Sequence, residues 1–458
     1  MIRVLMLGWE YPPHISGGLG TACEGLTKAL ADEPVAITFL LPRLFGGEQA
    51  RHLRLVDATR RPLGKTAADE SWDESRDGTR LKTLPIDSWL MPYLRPLSLA
   101  DRERLWAGGP RGLEELIHLL QASEPGSGGA LYGQNLFAEV DRFAERCLAH
   151  AQTLDFDLIH AHDWMTYPAA LAAAKATGKP LILHVHSLET DRSGDAVNTT
   201  ISSIERRALQ QADTVIAVSH FTKQKIIEIY GLAEKKIFVV YNGVQEPGSS
   251  AESPKATTWA VELSPPLSPP PPRDRKTVLF LGRITFQKGP EYFVEVAAQV
   301  ARFIPHVRFV MAGEGDSYPR VRELVRERGL EQVFEFEGFV KGRDRDLLFQ
   351  QADLYIMPSV SEPFGITPLE ALCFDVPVLI SRQSGVSEVL SHVLKSDFWD
   401  VDEMADLVVG ALTHGELRTD LMKMARQELK KINWRVAGRR TFEIYLNTLQ
   451  MAKSVFEK

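Results

Sequence analysis

The stretch SSAESPKATTWAVELSPPLSPPPPRDR, Ser249 to Arg275, limits the possible folds more than any other part of this chain. Six prolines fall between Pro265 and Pro272. Such a run offers no N–H groups to a helix interior or a central strand, and it favours an extended polyproline path. It reads as a linker over 246–275, so the residues on each side must bury a core of their own. A length of 458 residues agrees, because single cores stop growing at roughly 250–300 residues.

On both sides of the linker, short apolar β-branched runs alternate with helical patterns. In residues 1–245, IRVLML precedes a Gly-rich loop and the helix TACEGLTKALA. DLIHAHD, PLILHVHS, DTVIAVS and KIFVVYNG follow as strands, separated by PAALAAAKATGK, SSIERRALQQA and HFTKQKIIEIYG as helices. In residues 276–435, TVLFLGR, VRFVMAGEGD, FEFEGF, DLYIMPS and VPVLIS alternate with GPEYFVEVAAQVARF, YPRVRELVRERG and RDRDLLFQQA. This alternation predicts an α/β protein with two Rossmann-like lobes, each a parallel sheet covered on both faces. Residues 436–458 form an amphipathic helix with Val436, Phe442, Tyr445 and Leu449 as its apolar positions. One region, about 50–130, breaks the rhythm. It sets Arg51, Arg54, Arg60, Arg61 and Lys65 beside the acidic run DESWDESRD. Such a pair of clusters is either a solvated loop or a surface that holds an acceptor or a second subunit.

Composition excludes several classes. A net charge of -7 argues against bulk binding to nucleic acid or to an anionic membrane surface. No apolar run approaches the ~20 residues that span a bilayer, so no integral membrane segment is expected. The amino terminus reads as a first strand, not as a signal peptide. Cys23, Cys147 and Cys373 form neither an even framework nor a CxxC pair. A reducing, cytoplasmic location fits.

Open parallel sheets bind ligands where strands end and loops enter helices. The unusual residues fall at these places. After the first strand, Gly17, Gly18 and Gly20 in HISGGLGTACEG let backbone approach a ligand, and a helix start there favours an anion; a plain tight turn is the alternative. IHAHDW ends a strand with His160 and His162 on one side, and LHVHS repeats this with His184 and His186. No cluster with metal-ligand spacing accompanies them, so no metal is expected. The histidines are either satisfied core residues or polar groups offered to a sugar or phosphate. In LGRITFQKG, Arg283 and Lys288 stand where two cations can clamp a diphosphate.

SVSEPFGITPLEAL places Glu362 and Glu370 eight residues apart around Gly365, Ile366 and Thr367. Thr367-Pro368-Leu369-Glu370 has the form of a capping box, with proline at the first helical position. That accounts for Glu370 but not for Glu362. A diphosphate held by Arg283, Lys288 and the Gly365–Thr367 amides accounts for both: Glu362 then lies beside a sugar and Glu370 meets a ribose.

Taken together, these motifs resemble the retaining glycosyltransferases of the two-lobed GT-B fold, the group with glycogen and starch synthases, sucrose synthases and many bacterial enzymes. The resemblance spans nearly the whole chain except about 50–130. It implies that Gly18 and its neighbours approach the donor, that His162 lies near the transferred sugar, and that Arg283 and Lys288 neutralise the leaving diphosphate. It further implies Glu362 at the donor sugar, Glu370 at the ribose, backbone at Phe339 and Val340 beside the base, and a last helix that returns to the first lobe. Activity of this kind keeps the anomeric configuration and needs no metal or other cofactor. Its partners are a nucleotide-diphosphate sugar, ADP-glucose or UDP-glucose first, and a carbohydrate acceptor such as a glucan. A non-glucan acceptor or a sugar-nucleotide epimerase is the alternative. One position departs from the pattern. Where bacterial glycogen synthases have Lys-x-Gly-Gly, this chain has Ile15-Ser16-Gly17-Gly18. This weighs against an ADP-glucose glycogen synthase and leaves the wider group intact.

Overall fold

A computed structural model describes residues 1–12, 18–42, 53–55, 81–85, 136–244 and 275–456. Gly17, the first-loop residues Ile15 and Ser16, the charge clusters between Arg51 and Asp77, and the linker up to residue 274 lie outside the described residues.

The first lobe runs β1 (Ile2–Leu7), α1 (Gly18–Leu30), β2 (Val35–Leu41), β3 (Leu53–Leu55), β4 (Leu81–Pro85), α2 (Leu136–Ala151) and β5 (Leu158–His162). It continues with α3 (Tyr167–Thr177), β6 (Leu181–Val185), α4 (Glu189–Ser193), α5 (Thr199–Gln211), β7 (Thr214–Ala217), α6 (His220–Tyr230) and β8 (Ile237–Val239). The second lobe runs β9 (Thr277–Leu281), α7 (Pro290–Phe303), β10 (Arg308–Ala312), α8 (Tyr318–Glu327), β11 (Phe334–Gly338), α9 (Gly342–Gln351) and β12 (Leu354–Met357). Then come α10 (Thr367–Cys373), β13 (Val378–Ser381), β14 (Leu394–Ser396), α11 (Val401–Thr413), α12 (Gly415–Leu429) and α13 (Trp434–Phe456).

The strands form two sheets in the orders β3-β4-β2-β1-β5-β6-β7-β8 and β11-β10-β9-β12-β13-β14. Neighbours pair in parallel, with β1 between β2 and β5 and β9 between β10 and β12. The two-lobed α/β expectation holds. Two short strands, β3 and β4, fall in the region expected to be irregular and extend the first sheet beyond β2.

Alternation along each strand explains the double covering. In β1, Leu5 and Leu7 join one buried cluster with Phe143, Ala170 and Leu183, while Val4 and Met6 join another with Leu26, Phe39 and Ile216. In the second lobe, Val278 and Phe280 face Phe293 and Phe309, whereas Leu279 faces Tyr355, Met357 and Leu369. Apolar side chains on both faces leave a strand no solvent side, so helices must cover both.

Helix α13 belongs by packing to the first lobe. Ala437, Ile444 and Tyr445 are buried in the β1–β2 cluster, and Thr448 Oγ1 shares a 2.8 Å hydrogen bond with Thr214 Oγ1. Trp434 seats on α1 at Gly25, where any side chain would collide with the indole. The expected apolar stripe needs one correction. Val436 is 57% exposed, and Ala437 and Ile444 fill the face instead, because the helix is rotated to bring Tyr445 under the sheet.

Candidate functional site

The two sheets present their carboxyl ends to each other, and the loops there meet directly. Ser219 Oγ, at the start of α6, donates to Pro363 O at 2.6 Å, and Thr222 Oγ1 donates to the same carbonyl at 3.3 Å. Ser361 Oγ donates to Asp191 Oδ1 at 2.6 Å, while Lys225 Nζ reaches both Asp191 Oδ1 and Ser361 Oγ, at 2.6 and 2.7 Å. Glu388 accepts from the first two amides of α6, His220 at 2.9 Å and Phe221 at 2.6 Å. The segment that carries Glu362 is thus held from both lobes. Asp191, Lys225 and Ser361 were not singled out in the sequence, where nothing marks residues 136 and 170 positions apart as partners.

In the second lobe, the loop after β9 and the loop after β12 form one charged surface. Val360 N donates to Gln287 O at 3.0 Å and joins them. Lys288 closes a 3-10 turn, Phe286–Lys288, and its Nζ lies 2.5 Å from Glu362 Oε2. Ser359 Oγ donates to the same carboxylate oxygen at 3.3 Å. Next to Lys288, Gly289 has φ +64 and its missing Cβ would strike Pro358 O, so only glycine lets the turn lie this close to the β12 loop. Arg283 is in the same loop, with Nη2 donating to Gln287 Oε1 at 3.4 Å. Arg283, Lys288 and Glu362 are therefore brought together as expected from their positions at strand ends.

Gly365, with φ +99, turns the chain back against the Glu362 and Met357 side chains before α10. Here the capping-box expectation is overturned. Ile366 is the cap position and makes no side-chain cap bond, Thr367 is already helical, and proline stands second. The Glu370 carboxylate does not reach back to the helix start. It accepts from Arg345 Nη1 at 3.1 Å, and Arg345 also donates to Asp346 Oδ1 at 2.8 Å. A guanidinium on α9 outcompetes a backbone amide because the ion pair is the stronger partner at a half-buried site. Burial pushes the Glu370 carboxyl up, opposed by Arg345 and assisted by Asp346. Phe339 and Val340 lie in the loop between β11 and α9; Phe339 is 39% exposed, while Val340 and Ile366 pack on one apolar cluster.

The first lobe contributes a surface of another kind. Gly18 begins α1, and among the described residues nothing lies within 4 Å of where its Cβ would be. Gly20 N donates to the buried Glu10 Oε1 at 3.1 Å. Below them, β5, β6 and the residue that follows β6 bring four histidines together. His162 is opposite His184 in register, and the His160 and His162 rings are 4.4 Å apart on one side of β5. His162 Nδ1 and His186 Nε2 are 2.9 Å apart, and His160 Nε2 and His184 Nδ1 are 3.3 Å apart. His160 Nδ1 also meets the Tyr445 hydroxyl at 2.6 Å. Burial depresses all four imidazoles, His160 and His186 to about 3, and mutual repulsion deepens the shift for His160, His162 and His184. They are neutral at any ordinary pH. The expectation that no partner cluster accompanies His160 and His162 is corrected: β-pairing sets residues 24 positions apart side by side, and Cys23 of α1 joins them.

Asp163 follows directly and is held at φ 59, a region non-glycine residues avoid. Its Oδ1 accepts from His186 N at 2.7 Å and Ser187 N at 3.3 Å, fixing the loop after β6. Burial, partly offset by Arg192 and these two amides, raises its carboxyl to about 7. Among the described residues, no helix is long and apolar enough to cross a membrane, and Cys23, Cys147 and Cys373 form no disulfide.

Residues 268–428 match the family described as Glycosyl transferases group 1, and residues 122–246 match Glycosyltransferase Family 4. An uncharacterized glycosyltransferase of Methanocaldococcus jannaschii is 25% identical over 98% of this chain and 99% of its own length. The glycogen synthase of Mycobacterium tuberculosis is 23% identical, covering 97% of this chain and 94% of its own. In fold, the sucrose-phosphate synthase of Thermosynechococcus elongatus superposes with a TM-score of 0.67 at 18% identity, over 98% of this chain and 100% of that one. With a family 4 segment in its first lobe, a group 1 segment in its second, and two parallel sheets facing across a cleft, the chain belongs to the GT-B glycosyltransferases.

Proposed function

We propose that the protein is a retaining hexosyltransferase that moves glucose from a nucleotide-diphosphate sugar, ADP-glucose or UDP-glucose, to a glucan or related carbohydrate in the cytoplasm. The observation that carries this reading is the Lys288–Glu362 pair, 2.5 Å apart beside Arg283 at the strand ends of the second lobe. Two cations on one loop suit the charge that grows on a departing diphosphate. Glu362 turns Lys288 toward the cleft and is placed for the hydroxyls of the donor sugar. Glu370, steadied by Arg345, is placed for the ribose, and Phe339 and Val340 flank the base. Across the cleft, Gly18 leaves room for the donor, Gly20 supports that loop, and neutral His162 offers a ring nitrogen to the transferred sugar. With the leaving phosphate and the nucleophile on one face of the sugar, the phosphate itself accepts the acceptor's proton, so the chain need supply no general base and no metal. A relative named glycogen synthase supports a glucan as acceptor.

Nucleotide release from ADP-glucose, UDP-glucose and GDP-mannose, each with and without glycogen, tests this. Release that rises sharply with glycogen names the donor and supports glucan synthesis; an α-configured product from an α-configured donor supports retention. Slow release indifferent to glycogen moves the acceptor to another carbohydrate. Conversion of the donor sugar with no acceptor would make the protein an epimerase and overturn the transfer reading.

A further inference from the structure

The histidine floor of the first lobe holds a set of ligand atoms of which two, on Cys23 and His186, have no part in sugar transfer. Cys23 is fully buried on α1, and its sulfur, one ring nitrogen of His162 and one of His186 all lie within 4.8 Å of one another. We propose that Cys23, His162 and His186 form a binding site for a divalent cation of the Zn2+ class, open to solvent on the His186 side.

Ligand type comes first. One thiolate and two imidazoles form a borderline-soft set that favours zinc and its neighbours over magnesium or calcium. Spacing is the second argument. His162 Nδ1 and His186 Nε2 are 2.9 Å apart, and they need to part by only about 0.4 Å to reach the roughly 3.3 Å between two nitrogens on one tetrahedral ion. The ion takes the place of the proton these nitrogens now share, which moves to the other nitrogen of its own ring, and Cys23 closes in by a shift on the order of 1 Å to reach a bond of about 2.3 Å.

A rival trio, His160, His162 and His184, has its nitrogens equally close, but all three residues are buried and His160 is already held by Tyr445. His186 is only half-buried, which gives the Cys23 set an entrance and a fourth position for water. On binding, the Cys23 thiol proton leaves to solvent. Burial holds that proton tightly, so the site is weaker than a structural zinc centre. An ion there also occupies His162, so zinc inhibits transfer; this consequence alone rests on the proposed function.

The experiment is equilibrium dialysis of the full chain against Zn2+ alone, with Co2+ as a spectroscopic substitute and no sugar present. One saturable ion per chain is expected, with a near-ultraviolet thiolate-to-cobalt band. Cys23→Ala and His186→Ala each weaken binding at least tenfold, and Cys147→Ala does not. Absence of one-to-one binding, a cobalt spectrum without the thiolate band, or full affinity in folded Cys23→Ala and His186→Ala would each overturn the site. If Cys23→Ala does not fold, His186→Ala and the wild-type cobalt spectrum decide. Where transfer is measurable, Zn2+ suppresses it in wild type and not in Cys23→Ala; turnover unchanged at full zinc occupancy would remove the inhibitory role.

Discussion

The two walls of the cleft are built at equivalent places, the carboxyl ends of parallel strands, yet they hold their polar groups in opposite ways. The first lobe gathers four imidazoles, three buried and His186 half-buried, and their low access to water keeps them neutral. The second keeps full charges and balances them in pairs, Lys288 with Glu362 and Arg345 with Glu370 and Asp346. Desolvation of an ion costs several kcal/mol unless a partner repays it, so a wall must either shed charge or match it. A matched wall retains cations for an anionic ligand. A neutral wall offers hydrogen-bonding atoms to hydroxyls without attracting phosphate. Under the proposed function, the diphosphate would take the charged side of the cleft and the sugar's uncharged face the other.

The sharpest way to break that assignment is to remove a cation from the charged wall. Lys288→Ala is expected to cut nucleotide release by about 10²–10³, the loss typical of one preorganised group facing developing charge. The fold should survive with some loss of stability, since Glu362 loses its ion-pair partner but keeps the Ser359 hydroxyl. Circular dichroism checks the fold and donor-dependent release checks the activity. Turnover within a few-fold of wild type would mean that the leaving group is stabilised elsewhere.

A second test separates the walls themselves. Asp191 receives Lys225 and Ser361 from opposite lobes. Asp191→Ala strands the Lys225 charge and a buried hydroxyl, at a cost of about 2–3 kcal/mol after allowance for the partial exposure of Lys225. Melting should broaden or split into two transitions as the lobes uncouple. A single unshifted melt would show that the lobes are held by other contacts, such as Glu388 at the start of α6.

How much of this contrast the sequence carried depends on distance along the chain. Arg283, Lys288, Glu362 and Gly365 stand at strand ends that periodicity alone locates, so the charged wall was legible as a set. Glu370 was legible as an acid at a helix start, but its partner was not. Arg345 comes 25 residues earlier, in a helix with no motif of its own, and its pairing displaces the expected capping box. On the neutral wall, two-residue alternation put His160 with His162 and His184 with His186. Only the β5–β6 register places the pairs against each other, and nothing in the spacing points to Cys23 on α1 or Tyr445 on α13. Pairing between distant strands and docking of a terminal helix are tertiary choices, invisible to a local reading.

Acid should distinguish the walls next. Free histidine titrates near 6.5, whereas burial lowers all four in the fold, His160 and His186 to about 3. The unfolded chain therefore binds protons that the folded chain refuses as pH falls below 6.5, and stability is lost across that window. Asp163, raised to about 7, acts in the opposite sense between about 4 and 7, and the raised carboxyls of Glu205 and Glu370 assist it above 4.5. Four groups outweigh these at pH 5.5–6.5, so stability falls as pH is lowered across that range. Urea melts at pH 7.5, 6.5 and 5.5 read this directly. Constant stability over that range would mean that the histidine floor is hydrated and ordinary.

The finest test asks what keeps the floor in place. Tyr445 links α13 to the histidines, with its hydroxyl 2.6 Å from His160 Nδ1. If the hydroxyl donates, His160 carries its proton on Nε2 and donates to His184 Nδ1, which leaves His184 Nε2 as a buried donor without a partner, as it is in the fold. Tyr445→Phe removes the donor and frees His160 to take either tautomer. The ring itself still fills the apolar seat between α13 and the sheet, so the expected cost is only about 1–2 kcal/mol, that of one buried hydrogen bond. The diagnostic is nitrogen NMR of the imidazoles: in wild type His160 is a single Nε2–H tautomer, and in Tyr445→Phe it becomes a mixture. A wild-type signal with the proton on Nδ1 would reverse the chain, making the tyrosine oxygen the acceptor and His184 the donor at the other end. The neutral wall would then be set from β6 and not from the C-terminal helix.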